Sequence, residues 1–280
     1  MTNTLRTINE FREYLINEEK SDSTLESYIR NVETFMKWIQ NEVLDKKKVL
    51  EYKEILIEKY KISTANAALS AINSFFEFCG LQNLKVKIFK KQKEIFYSEN
   101  RELTKIEYEK LLKTALNNKN QRIYYIMQAI CSTGIRVSEL KFITVESLSR
   151  KYVEVRCKGK NRVVILPDSL CRILKEYAKS NGIISGTLFI TRTGKPINRT
   201  VIWREMCELC KDAGVEKSKV FPHNLRHLFA RTYYSLEKDI VRLADILGHS
   251  SVNTTRIYTM ESGKIHRKHI QKMGLVILRE

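Results

Sequence analysis

Apolar residues recur at helical spacing along most of this chain, and the period changes only once. Tyr28, Val32, Phe35, Met36 and Ile39 fall at i, i+4, i+7, i+8 and i+11, the spacing of one buried helical face, behind a Ser23 to Glu26 pair with capping-box spacing. Ala68, Leu69, Ile72, Phe75 and Phe76 mark a second helix over roughly Ala65 to Phe78, with Gly80 placed to end it. Thr104 and Glu107 repeat the capping-box spacing ahead of Tyr108, Leu111 and Leu112. Then the period shortens. Tyr152, Val153 and Val155, followed after a polar Lys-Gly-Lys-Asn segment by Val163 to Leu166, read as two strands joined by a turn, and helices resume from Ser169. The expected fold is mainly α with a small β-sheet, an α+β arrangement headed by an N-terminal helical bundle.

The length, 280 residues, favours two domains, each large enough to bury its own core. The bundle is expected over residues 1–84 and a second domain over 102–280. Between them KVKIFKKQKEIFYSEN has no clean period and reads as a basic linker, residues 85–101, whose Lys85, Lys87, Lys90, Lys91 and Lys93 are expected to lie along a phosphate backbone. A solvated linker with no partner would look the same.

Charge narrows the partner. Fifty Lys and Arg against 32 Asp and Glu give a formal +18, which suits a polyanion, because each phosphate contact releases condensed counterions whatever the base sequence. Nucleic acid is the first expectation and an anionic membrane surface the second. No apolar run approaches membrane-spanning length, and MTNTLRTINEFREYL lacks the apolar stretch of a signal peptide, so a cytoplasmic protein without membrane partners is expected. Six cysteines are then reduced thiols, and Cys207 and Cys210, the one CxxC, lack a second ligand pair at metal spacing. With no glycine-rich phosphate loop ATP is not expected, and with only the lone CxxC neither a metal nor another cofactor is expected.

Three segments of the second half carry the chemistry: Thr133-Gly-Ile-Arg136-Val-Ser-Glu139-Leu140, His223-Asn-Leu-Arg226-His227, and Leu247-Gly-His249 running on to Thr254-Thr-Arg-Ile-Tyr258. Each alone is a weak signal, an ion pair or a structural histidine. In this order and spacing the sequence resembles the tyrosine recombinase and integrase family, and among those the compact bacterial Xer type, over about Leu103 to Thr259. The resemblance makes residues 102–280 the catalytic domain and the N-terminal bundle, matched loosely around Ser63 to Ile72, the core-binding domain of a clamp around duplex DNA.

Carried over residue by residue, the resemblance makes Arg136 and Arg226 the catalytic arginines, Glu139 the acidic support one turn beyond Arg136, His223 the histidine of the HxxR pair, His249 the histidine of the LGH segment and Tyr258 the nucleophile. It places the catalytic lysine in the strand turn, at Lys158, with Lys160 close enough to leave the register open; Lys160 and Arg162 are otherwise expected to contact DNA. These residue types suit phosphoryl transfer. Planar guanidinium groups stabilise the charge that builds on nonbridging oxygens, nearby cations favour the tyrosine phenolate, and a lysine can protonate the departing 5′-oxygen. His223 is a base or an oxyanion donor and His249 a donor to phosphate.

The resemblance implies a site-specific recombinase that forms a 3′-phosphotyrosyl intermediate without metal or ATP, in a tetramer on two DNA sites, with a second recombinase or an accessory protein as a further partner. A noncatalytic DNA-binding regulator and a DNA-relaxing enzyme of the type IB topoisomerase kind are the alternatives. The tail from Glu261 to Glu280 ends in the apolar Leu275-Val-Ile-Leu278, which needs cover from its own domain or from a neighbour, and the family points to the neighbour, by exchange between protomers.

Overall fold

The computed structural model describes residues 2–40, 43–90, 101–157, 160–249, 251–258, 271–273 and 275. The chain divides into two compact units, residues 1–93 and 94–280.

The first unit packs α1 (Thr2–Asn17), α2 (Asp22–Ile39) and α3 (Lys46–Lys59) around α4 (Ile62–Phe78). Small residues Ala65 and Ala68 on α4 let neighbouring helices approach, while Phe75 and Phe76 reach outward from its last turns and meet Phe11 and Phe35 nearly edge-on, at ring separations of 5.2 and 5.8 Å. The expected cap on α2 is displaced. Ser21, not Ser23, is its N-cap residue, because the helix starts early enough to put Asp22 in the first turn, where a carboxylate favours the positive helix end.

Residues 86–90, expected to belong to a linker, are held against α4 instead. Asn73 donates its side-chain amide to the Val86 carbonyl (2.8 Å) and accepts from the Val86 N–H (2.9 Å), and Asn66 makes the same pair of bonds with Phe89 (2.9 and 2.8 Å). Buried Leu84 and Val86 join the core of this unit. Lys85 pairs with Glu77 at 2.9 Å; Lys87 and Lys90 stay exposed, and Lys91 and Lys93 lie outside the described residues.

The second unit runs α5 (Lys105–Asn117), α6 (Gln121–Thr133), a 3-10 helix (Val137–Phe142), α7 (Val145–Arg150), the strands β1 (Tyr152–Cys157) and β2 (Lys160–Ile165), α8 (Asp168–Ser180), α9 (Arg199–Glu208), α10 (Cys210–Ala213), α11 (Pro222–Glu237), α12 (Ile240–Leu247), α13 (Val252–Thr255) and a closing 3-10 turn (Arg256–Tyr258). The Thr104 capping box forms, with the Thr104 N–H donating to Glu107 at 2.8 Å and the Glu107 N–H donating back at 3.2 Å. The strands pair antiparallel from Tyr152↔Ile165 to Cys157↔Lys160. Their alternation buries Val153, Val155 and Val164 and leaves Val163 and Ile165 in water. α11 packs along α6, which brings the HxxR segment against the end of the TGIR segment. Asn224 and Arg231 on α11 also bond the carbonyls of Arg101 and Leu103, both at 2.9 Å, fixing the start of the unit. No helix among the described residues is long and apolar enough to cross a membrane. Of the tail, only residues 271–273 and 275 are described, so its docking lies outside them.

Candidate active site

The site is built where two helices end. A helix leaves its last carbonyls without partners and carries negative partial charge there, so cations settle at that end. Helix α6 ends at Gly134 and α12 at Gly248, both left-handed at φ +64° and +63°. Three successive carbonyls at the end of α12 each accept from a different arginine: Ile246 from Arg162 at 2.7 Å, Leu247 from Arg226 at 2.7 Å and Gly248 from Arg136 at 3.2 Å. Arg226 also donates to the Gly134 carbonyl at the end of α6. Three like charges thus share a small volume because oriented carbonyl dipoles hold them.

Neither glycine tolerates a side chain. A Cβ on Gly134 would lie 2.5 Å from the Phe229 ring, and one on Gly248 would lie 2.3 Å from Cδ of Arg162. Glu139, 2% exposed, supplies the matching negative charge. It accepts from the Arg136 N–H (2.8 Å), the Arg136 guanidinium (2.9 Å) and Arg162 (2.5 Å). Burial by itself raises the carboxyl pKa, but the bonds from Arg162 and Arg136 outweigh it and hold the pKa below the usual value. Arg162, expected to meet DNA, is instead turned inward, 12% exposed, with its two terminal nitrogens bonded to Glu139 and the α12 carbonyl.

Arg226 is 1% exposed, and burial followed by the neighbouring Arg136 and Arg162 lowers its pKa to about 10, so it remains a cation at neutral pH. Its Nε has no hydrogen-bond partner among the described residues. Its Nη2 lies 3.1 Å from Nε2 of His249, and Nδ1 of His249 lies 2.8 Å from the Thr255 hydroxyl. A guanidinium can only donate, so Nε2 accepts and Nδ1–H donates to Thr255. The His249 ring is therefore neutral, in keeping with a pKa lowered to about 4 by burial and then by Arg226, Arg136 and Arg162. In this arrangement its Nε2 receives a hydrogen bond, the opposite of the donor role expected for it.

Tyr258 is 5% exposed. Its ring lies against His249 at 6.3 Å, nearly parallel, and meets His227 edge-on at 5.1 Å. Burial raises its pKa and Arg226, which hydrogen-bonds its hydroxyl, opposes the shift; burial wins, so the free protein holds a phenol rather than the phenolate that the cations alone would favour. His223 stands exposed at the rim, its pKa lowered by partial enclosure of the ring and then by Arg226, Arg136 and Arg199. Arg136, His223 and Arg226 line one open cavity of about 850 Å³, which Arg199, Thr200 and Trp203 on α9 also line.

The structure therefore brings together Arg136, Glu139, His223, Arg226, His249 and Tyr258. Lys160 opens β2 and Lys158 lies outside the described residues. Arg199, Trp203, Thr255 and His227 had no signal strong enough to single them out: the first two sit on a plain helical stretch, and His227 shared a motif with residues already assigned. Among the described residues no group of His, Cys, Asp or Glu is gathered to hold a metal ion.

The segment 101–264 matches the phage integrase family, and residues 7–81 match the N-terminal SAM-like domain of phage integrases. Tyrosine recombinase XerA of Pyrococcus furiosus is 29% identical over 277 residues, covering 96% of this chain and 94% of that protein. The crystal structure of a XerA recombinase is similar over 98% of this chain and 100% of that one, at 26% identity and a TM-score of 0.53. A lambda integrase tetramer bound to a Holliday junction shares the fold with a TM-score of 0.71 over 91% of this chain and 76% of its own, at 18% identity. With matches along both units and a cluster of arginines, histidines and a buried tyrosine in the second, the chain belongs to the phage integrase family and is an Xer-like tyrosine recombinase, a site-specific enzyme that cleaves and rejoins DNA.

Proposed function

We propose that Tyr258 is the nucleophile of this reaction and that Arg136 and Arg226 bind the phosphate it attacks. The gathering of Arg136, Arg226, His223 and His249 about Tyr258 beside one open cavity carries this assignment. The exposed part of Arg136 and the unpartnered Nε–H of Arg226 are the donors left for nonbridging oxygens, which gain charge as the phenolate oxygen attacks phosphorus. Glu139 holds Arg136 in place. Neutral His223, on the rim, serves as base or oxyanion donor. The bond from phosphorus to the 5′-oxygen breaks, Lys158 supplies that oxygen's proton, and a 3′-phosphotyrosyl ester remains. Because the ester keeps the bond energy, a 5′-hydroxyl from another strand reverses the step without ATP.

Lys85, Lys87, Lys90, Lys91, Lys93 and Lys160 are proposed to follow the DNA backbone, and the chain to act in the cytoplasm as a tetramer on two sites, with the tail passed between protomers. The test uses a nicked suicide duplex carrying a site selected by the wild-type protein from a random-sequence pool. Tyr258→Phe keeps duplex binding and gives no covalent adduct after denaturation; an adduct with the Phe variant refutes the assignment.

A further inference from the structure

His227 follows the HxxR arginine directly, yet nothing so far uses it. Its ring occupies the gap between the rim and the buried nucleophile: it meets His223 at 4.6 Å and Tyr258 at 5.1 Å, edge-on to the latter with an interplanar angle of 80°. Its Nε2 is buried and has no hydrogen-bond partner among the described residues. An imidazole nitrogen left in this way is costly to the fold, and its presence calls for a use outside the free protein. The groups around it fix which use. Arg226 precedes it on α11, His223 lies one turn back on the same helix, and Tyr258 faces it from the closing 3-10 turn. Burial, then His223 and Arg226, hold its pKa down to about 4, so at neutral pH it is a neutral ring with one lone pair to offer.

We propose that His227 is a positioning residue for the nucleophile: its ring is the wall against which Tyr258 rests, and its Nε2 accepts a hydrogen bond from the Tyr258 hydroxyl when that hydroxyl turns from Arg226 toward a bound phosphodiester. The bond orients the phenol oxygen for attack and transfers no proton. It is absent from the free protein, where Tyr258 is held by Arg226, which accounts for the orphaned nitrogen. The inference rests on Tyr258 being the nucleophile.

The test separates ring from nitrogen. His227→Phe keeps an aromatic wall and removes the nitrogen, and His227→Gln keeps a hydrogen-bonding group near the Nε2 position and removes the ring. On the nicked suicide duplex, His227→Phe binds DNA as the wild type does and unfolds at no lower urea concentration, since a buried orphan has gone. Its single-turnover rate of adduct formation falls about tenfold, the equivalent of one ordinary hydrogen bond in the transition state. His227→Gln forms adduct several times faster than His227→Phe. A Phe variant at the wild-type rate overturns the proposal, as does a Gln variant no faster than the Phe variant. A Phe variant that fails to fold assigns the nitrogen to the fold and overturns it too. In each of these cases the adduct still depends on Tyr258, so the failure is distinct from a failure of the nucleophile assignment, which Tyr258→Phe reports.

Discussion

Replacing Gly248 by alanine strikes the site at its most crowded point, and the structure contains its own control. Gly248 and Gly182 both sit in the left-handed region, at φ +63° and +65°, so alanine at either position bears the same backbone cost of about 1 kcal/mol. Around Gly182 nothing lies within 4 Å of the new Cβ, whereas at Gly248 it meets Cδ of Arg162 at 2.3 Å and Nε at 3.0 Å. Cδ lies in mid-chain, and the guanidinium beyond it is tied at 2.5 Å to Glu139 and at 2.7 Å to the Ile246 carbonyl. The arginine cannot move aside without giving up one of these bonds, a loss of about 1.5–3 kcal/mol for a hydrogen bond to a charged group. Gly248→Ala should therefore cost about 2 kcal/mol more than Gly182→Ala. The two tryptophans make the measurement local: in a Trp38→Phe background, Trp203 alone reports urea unfolding of the second unit. Equal costs for the two variants would mean that the Arg162 contact yields freely and that the site is not held as described.

Stability should fall with pH through a window set by the site histidines. His227 and His249 titrate near 4 in the fold and near 6.5 in the unfolded chain, so below about pH 6.5 the unfolded chain binds protons that the folded one refuses. Urea midpoints should drop between pH 7.5 and pH 5, and a chain with both residues changed to Gln should lose most of that drop; an undiminished drop would place its origin elsewhere. Glu139, with its lowered pKa, contributes stability at neutral pH that disappears only as pH falls below the ordinary carboxyl range. In the first unit, Asn73→Ala should speed amide exchange at Val86, and Asn66→Ala at Phe89, each by tenfold or more, as read by NMR. For the strand turn, Lys158→Ala should slow cleavage far more than Lys160→Ala, and a duplex with a 5′-thiolate leaving group, which needs no proton, should restore Lys158→Ala alone; rescue of the Lys160 variant instead would move the acid.

The helices, the hairpin and the cluster around Tyr258 were legible because each leaves a local trace: periodic apolar residues on α2 and α4, alternation on β1, short motifs in fixed order. What was not legible depends on distance in the fold. Arg162 looked like a surface cation beside Lys160, and only the approach of α12 to β2 turns it inward. Lys85 to Lys90 carried the composition of a linker, while the pairing that makes part of that stretch an element of the first unit comes from Asn66 and Asn73, two unremarkable polar positions on an otherwise apolar helix. The state of Tyr258 also escaped, since motif order reports the cations near a phenol but not the burial that outweighs them.

Seating three arginines on the carbonyls of residues 246, 247 and 248 ties their energies together. Substitutions at Arg136, Arg162 and Arg226 should not add: once one guanidinium leaves, the end of α12 relaxes and the remaining two lose part of their hold, so the second replacement removes less than it would alone. The same linkage makes eight-residue α12 a common lever. A contact that shifts it by a fraction of an ångström acts on all three charges at once, through the carbonyl that each of them shares with it.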